Sequence, residues 1–165
     1  MSQLSALDAT FLYAETAQTP MNLGTVHVLQ LPDGYTGDFV ADVRALVAKR
    51  LHLAPILHRR LIQMPYDLLT PMWADDDDID LDHHVRHVML KRPGDEAQLC
   101  ALVGRLHSQQ LDRSRPLWEL TLIEGLQDGK WAALVKVHHA GVDGQSGVLL
   151  NAALMDVVPE PREVR

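Results

Sequence analysis

The 165-residue chain holds a single cysteine, Cys100, so no disulfide can form within it and a reducing cytoplasm suits it. Basic residues are outnumbered, 15 Lys and Arg against 22 Asp and Glu, for a net charge of −7. No block of Lys or Arg interrupts that balance. The densest basic stretch, "HRR" at 58–60, is short and runs straight into apolar residues. Such a chain repels nucleic-acid phosphates and anionic headgroups, so a nucleic-acid partner is not expected. No charge-free apolar run is long enough to span a bilayer. The opening "MSQLSALDATFLYAE" has neither the basic start nor the apolar stretch of a signal peptide. The expected location is the cytoplasm, with peripheral contact to the inner membrane face or to lipid droplets left open. Internal repeats, low-complexity segments and a Gly-rich loop after the first strand are all missing, which removes support for a nucleotide-binding fold.

What is present is an ordinary core-forming composition, 47% hydrophobic and 22% charged, in a chain sized for one domain. Ser5 and Asp8 stand at capping-box spacing ahead of a helix with Leu4, Leu7, Phe11 and Leu12 as its apolar stripe. "LGTVHVLQL" (23–31) reads as a strand closed by Pro32-Asp33-Gly34. Asp38 caps a helix that Pro55 ends. "ILHRRLIQMP" reads as a strand, and the four aspartates at 75–78 as a solvated bend without the spacing of a calcium loop. From Ile79 the alternation predicts a strand with His83, Val85, His87 and Met89 on one face. Asp95 and Gln98 form a second capping box, before a helix whose buried stripe is Leu99, Leu102, Val103 and Leu106. Segments 116–126 and 130–139 flank "QDG" as a β-hairpin, and a further helix follows "DGQSG". This order predicts an α/β (α+β) sandwich with a mixed, largely antiparallel sheet covered by helices.

Chemistry concentrates in "KVHHAGVDGQSG", 136–147. Side chains two apart on a strand share a face, so His139 falls in line with Trp131, Ala133, Val135 and Val137, and His138 lies opposite with Lys136. At the end of an apolar row, partial burial favours the neutral imidazole that a general base needs. Gly144 and Gly147 let the chain turn sharply from strand to helix. Asp143 sits at that bend, placed either to orient the imidazole or to pin the turn through an arginine. The arginine is favoured, with Arg59, Arg60, Arg86 and Arg105 available. A histidine at a strand end is also often a hydrogen-bonded structural residue, and that reading stands beside the base. A metal site is not expected: His138 and His139 point to opposite faces and no third ligand is spaced to join them. Cys100 reads as packing, and "GQSG" misses nucleophile-elbow spacing by one residue.

"VKVHHAGVDGQSG" resembles the HHxxxDG signature of the acyltransferase superfamily of chloramphenicol acetyltransferase, carnitine acyltransferases and peptide-synthetase condensation domains. With "LSALDATFLYAETAQTPMNLG", "LDHHVRHVMLKRPG" and "RPLWELTLIEGL", the chain more closely resembles the amino-terminal domain of bacterial wax ester synthase/acyl-CoA:diacylglycerol acyltransferases. The resemblance implies a chloramphenicol acetyltransferase-like half-domain over 1–158, the start of an interdomain linker at 159–165, and a second domain that this chain does not carry. It implies that His139 is the general base, that His138 supports it, and that Asp143 and Gly144 hold the loop. Pro116, Leu117 and Trp118 match a PLW motif associated with the acyl-CoA site, against an ordinary strand-core role for Trp118. Implied substrates are acyl-CoA with diacylglycerol or a long-chain alcohol, giving triacylglycerol or wax ester without a cofactor, and the implied partner is a complementing carboxy-terminal chain or domain. Gly141, where a larger residue is frequent, is expected to widen the space beside the base. Two alternatives stand beside this reading. One is an inactive or truncated acyl-CoA- or lipid-binding module of the same fold, and the other a condensation-type domain acting on carrier-protein thioesters.

Overall fold

Successive side chains of a four-stranded sheet point to opposite faces, and because its two central strands are buried almost throughout, the core divides in two, one part on each face. The computed structural model describes residues 2–62, 70–142, 144–156 and 162, and for Gly144, Gln145, Ser146, Val148 and Leu149 the backbone alone. The main sheet has the order β2 (Asn22–Leu29), β7 (Trp131–His138), β6 (Trp118–Glu124), β5 (Val85–Met89). Its neighbours are antiparallel except β5 and β6, which are parallel. A small sheet, β1 (Ser2–Gln3), β4 (Met72–Asp75) and β3 (Arg59–Ile62), lies apart from it.

The capping signals are realised. Ser5, Asp38 and Asp95 accept backbone N–H bonds at the starts of α1 (Ala6–Ala14), α2 (Phe39–Arg50) and α5 (Glu96–His107), the last with both halves of a capping box. The 116–139 hairpin forms around Gln127–Gly129, with Asp128 at φ 61° and Gly129 at φ 68°. α6 (Gly144–Leu154) follows the histidine motif.

Two predicted strands begin instead with a helical turn. Pro55 is the first residue of α3 (Pro55–His58), because its fixed φ suits that position, and only then does β3 start. Asp80 accepts the His83 N–H at 3.1 Å and caps α4 (Leu81–His84), so the strand read from Ile79 begins at Val85. That turn carries His84 into the core, stacked on Trp118 at 4.4 Å. Leu7, expected on the buried stripe, is 70% exposed; Leu4, Ala9 and Leu12 pack inward instead. The aspartate cluster is ion-paired where it meets β3, Asp75 with Arg59 and Asp76 with Arg60.

α5 covers one face of the sheet, closing a cluster of Leu99, Leu102, Ile123, Ala132 and Leu134. On that face Lys136, 2% exposed, donates to the carbonyls of Leu106 and Gln109 at the end of α5 and pairs with Glu119 at 2.9 Å. The cation sits where the helix leaves its last carbonyls unpaired. α1, α2 and α6 pack into the larger cluster on the other face, with Leu12, Val47, Leu150, Leu154, Val135 and Leu122 among its members. Arg50 at the end of α2 is fully buried and donates to the carbonyls of Ala153 and Leu154 and to Asp156, which ties the end of α6 to α2. No described helix is long and apolar enough to cross a membrane.

Candidate active site

β7 ends at His138, and His139 opens a single 3-10 turn, His139–Gly141. The two histidines are held from opposite sides: the His138 N–H donates to the Leu117 carbonyl at 3.0 Å, and the His139 N–H to the Met21 carbonyl at 2.8 Å. The side chains part accordingly. His139 is half-buried and its ring stacks on Phe11 of α1, 3.8 Å between centroids. It lines an apolar cavity of about 400 Å³ with Leu23, Thr25, Val137, Val142 and Leu150. Its Nδ1 is buried and has no hydrogen-bond partner among the described residues. With Nδ1 buried, the half-buried ring could exchange a proton with an acceptor in the cavity only through Nε2, beside a largely apolar wall.

His138 faces the other way, fully buried. Its Nδ1 accepts the Ala140 N–H at 3.0 Å, so the neutral ring carries its proton on Nε2, 3.5 Å from Glu15 Oε1. Glu15, whose carboxylate is 1% exposed, accepts from the Met21 N–H at 3.0 Å and from Arg113 Nη2 at 2.8 Å. Arg113 also donates to the Leu12 carbonyl. Burial pushes the Glu15 carboxyl up, but the Arg113 and Met21 hydrogen bonds and the charges of His138 and Arg113 together hold it below its ordinary 4.5. Burial lowers the His138 imidazole below its ordinary 6.5 in spite of Glu15. Glu15, Arg113 and Phe11 were not legible as site residues, since they lie far from the motif along the chain and carry no local signal.

The remaining candidates separate into distinct surroundings. Pro116 is buried, and Leu117 and Trp118 are 0% and 1% exposed. The Trp118 indole donates to the Leu57 carbonyl at 3.1 Å, and its carbonyl accepts from His84 Nδ1 at 2.8 Å. Gly144 is the first residue of α6. Asp143 lies outside the described residues, as do the linker positions 159–161 and 163–165. Of the arginines weighed as its partner, Arg59, Arg60 and Arg86 pair with Asp75, Asp76 and Glu119. No group of three metal-ligating side chains occurs among the described residues.

The expectation for Gly141 is corrected. A Cβ there would stand 2.1 Å from Ile56 Cδ1, so the glycine lets the turn close on α3 and opens no room beside His139. Gly141→Ala should destabilise by about 1–3 kcal/mol through overpacking. Ile56→Val, which removes the offending methyl, should recover part of that loss, a coupling read from a double-mutant cycle in urea.

The buried histidines also set a pH dependence. His84 and His138 have folded values pushed below 6.5, in both cases chiefly by burial. The unfolded chain therefore binds protons that the folded chain refuses, and stability falls as pH drops below 6.5 until the folded values are reached. Each contributes a slope of up to about 1.4 kcal/mol per pH unit in that window. Glu15, depressed, adds a second loss below 4.5. Urea midpoints taken from about pH 7.5 down to about pH 5.5 should fall steadily, and His138→Gln should flatten the slope.

Comparison with known proteins agrees with this architecture. The family described as wax ester synthase/diacylglycerol acyltransferase catalytic domain matches residues 4–165. A protein of Mycobacterium tuberculosis that bears a diacylglycerol O-acyltransferase name is 41% identical over 98% of this chain and 32% of its own length. The solved wax ester synthase/diacylglycerol acyltransferase of Marinobacter aquaeolei VT8 superposes with a TM-score of 0.76 at 37% identity, over 89% of this chain and 36% of that one. The first condensation domain of the calcium-dependent antibiotic synthetase shares the fold, with a TM-score of 0.70 at 18% identity over 93% of this chain and 36% of that one. The chain spans about a third of the length of the relatives it matches.

Proposed function

The chain belongs to the wax ester synthase/diacylglycerol acyltransferase family, and from that membership and its His139 cavity we propose that it forms the histidine-bearing part of an acyl-CoA-dependent O-acyltransferase. The observation that carries the proposal is His139 itself: a half-buried imidazole stacked on Phe11 at the wall of an apolar cavity. His139 takes the proton of an acceptor hydroxyl as its oxygen attacks the thioester carbonyl of a long-chain acyl-CoA. The C–S bond then breaks, and the CoA thiolate receives the proton back from His139, leaving the ester and free CoA. The thioester is already activated, so the reaction needs no metal or cofactor, and acyl-CoA is consumed as substrate. A water-poor cavity limits hydrolysis of that thioester.

The other residues serve His139 from behind. His138, locked by Ala140 and facing Glu15, fixes the backbone from which His139 projects. Pro116, Leu117 and Trp118 act through packing, since Leu117 holds the His138 N–H and Trp118 is engaged with Leu57 and His84. Asp143 and Gly144 hold the entry to α6. Diacylglycerol or a long-chain alcohol is the acceptor, delivered from a membrane or lipid-droplet surface, and the remaining two thirds of the family length supplies the other wall of the site.

The test is ester formation and CoA release from a long-chain acyl-CoA, with diacylglycerol and with a long-chain alcohol, by this chain together with a carboxy-terminal portion from a family member. Ester from either acceptor supports the proposal. Acyl-CoA bound without any ester would identify a lipid-binding module instead, and ester formation only from carrier-protein thioesters would identify a condensation-type domain.

A further inference from the structure

No described residue holds Nδ1 of His139, so no hydrogen bond at that nitrogen steers the ring. The aim of Nε2 is set by the backbone from which the ring projects and by the Phe11 ring it stacks on. Both lead back to Glu15, just past the end of α1. Its backbone N–H donates to the Phe11 carbonyl at 3.2 Å and fixes the turn that carries the Phe11 ring. Its Oε1 accepts the Met21 N–H at 3.0 Å, and the Met21 carbonyl accepts the His139 N–H at 2.8 Å. A single residue therefore stands between the Glu15 carboxylate and the His139 backbone. The same Oε1 is 3.5 Å from His138 Nε2, and Nδ1 of that ring accepts the Ala140 N–H. Between Glu15 and Met21 the chain has little slack, because Thr16 and Thr19 exchange both of their backbone hydrogen bonds.

The carboxylate is itself gripped. Arg113 donates to Oε2 from Nε at 3.2 Å and from Nη2 at 2.8 Å, and Nη2 also reaches the Leu12 carbonyl in the last turn of α1, at 2.7 Å. A buried ion pair contributes little net stability, since desolvation offsets its attraction. What charge adds is strong hydrogen bonds of defined direction. We propose that Glu15, held by Arg113, is the positioning residue of this site. It places the His139 ring from three sides, through Met21, through His138 and through Phe11, a role that rests on the acyltransferase reading, in which Nε2 must meet the acceptor hydroxyl.

The test is kcat and KM for acyl-CoA in Glu15→Asp, alone and combined with His139→Ala, in the paired assay of ester formation. Aspartate keeps the charge but is one methylene too short to reach Met21 and Arg113 together. Glu15→Asp should lower kcat about 10- to 100-fold, the scale of a misplaced catalytic group, and leave KM for acyl-CoA unchanged. In the His139→Ala background it should cost nothing further, because no imidazole is left to misplace. A residue that only supported the fold would lower the thermal midpoint and leave kcat per folded molecule as it was. Proton NMR of this chain alone reads the placement without turnover: the stack on Phe11 moves the His139 ring protons upfield, and Glu15→Asp should return them toward ordinary histidine positions. Should Glu15→Asp not fold, Arg113→Lys, which keeps the charge and loses the two-nitrogen grip, carries the same comparisons. Unchanged kcat in the folded variant, unmoved His139 resonances, or a rate loss that adds in full to that of His139→Ala would overturn the proposal. No ester from the wild type, with the His139 resonances still moved by Glu15→Asp, would instead sink the acyltransferase reading and leave Glu15 as the residue that places the ring.

Discussion

Replacing His139 by alanine should lower ester formation by about 10²- to 10⁴-fold, the contribution typical of a positioned general base. The fold should survive, because what His139 gives the fold is mostly backbone: its N–H bonds to Met21 and its carbonyl to Val142. Only the stack on Phe11 is lost from the side chain. Acyl-CoA affinity should change little, since the cavity is lined mainly by apolar side chains that remain. The measurement is CoA release beside a binding isotherm for the same variant. A full-rate His139→Ala would remove the base assignment, whatever the family. Glu15→Gln makes a useful contrast, because it keeps the shape beside His138 while removing the charge that Arg113 and His138 both face. Its effect on rate should be smaller than that of His139→Ala and should come with a shift in the pH dependence of stability.

The largest loss of stability should follow Arg50→Ala, at about 3–5 kcal/mol, because a buried, hydrogen-bonded cation cannot be removed without stranding its partners. Arg50 is wholly buried, and its departure leaves the carbonyls of Ala153 and Leu154 without this donor. For a chain of this size the thermal midpoint should drop by roughly 10 °C. Arg162 contacts the same Asp156 and the end of the same helix from an exposed position, and Arg162→Ala should change the midpoint little, as surface pairs generally do. The difference between the two variants separates burial from charge. The consequence reaches the site as well, because α6 supplies Leu150 and Asn151 to the His139 cavity. A loosened α6 should weaken acyl-CoA binding even at temperatures where Arg50→Ala is still folded.

What the sequence determined on its own is local. Ser5, Asp38 and Asp95 cap their helices because each needs only backbone N–H groups two or three residues away. The hairpin between β6 and β7 follows from Asp128-Gly129, which accept the left-handed turn. The strand period sets the direction of Val137 against His138, and with it the cavity-side placement of His139. The two missed helical turns, at Pro55 and Asp80, show the limit of that period: a few alternating residues fit a strand template even where a cap or a proline starts a helix. Tertiary structure decided everything that joins distant parts of the chain. Glu15 meets Arg113 across 98 positions and Arg50 meets Asp156 across 106. Phe11 stacks on His139, Ile56 fills the space beside Gly141, and Val135 lines two separate apolar cavities. No local pattern encodes such contacts, because they exist only once the sheet has closed and three helices compete for the same face.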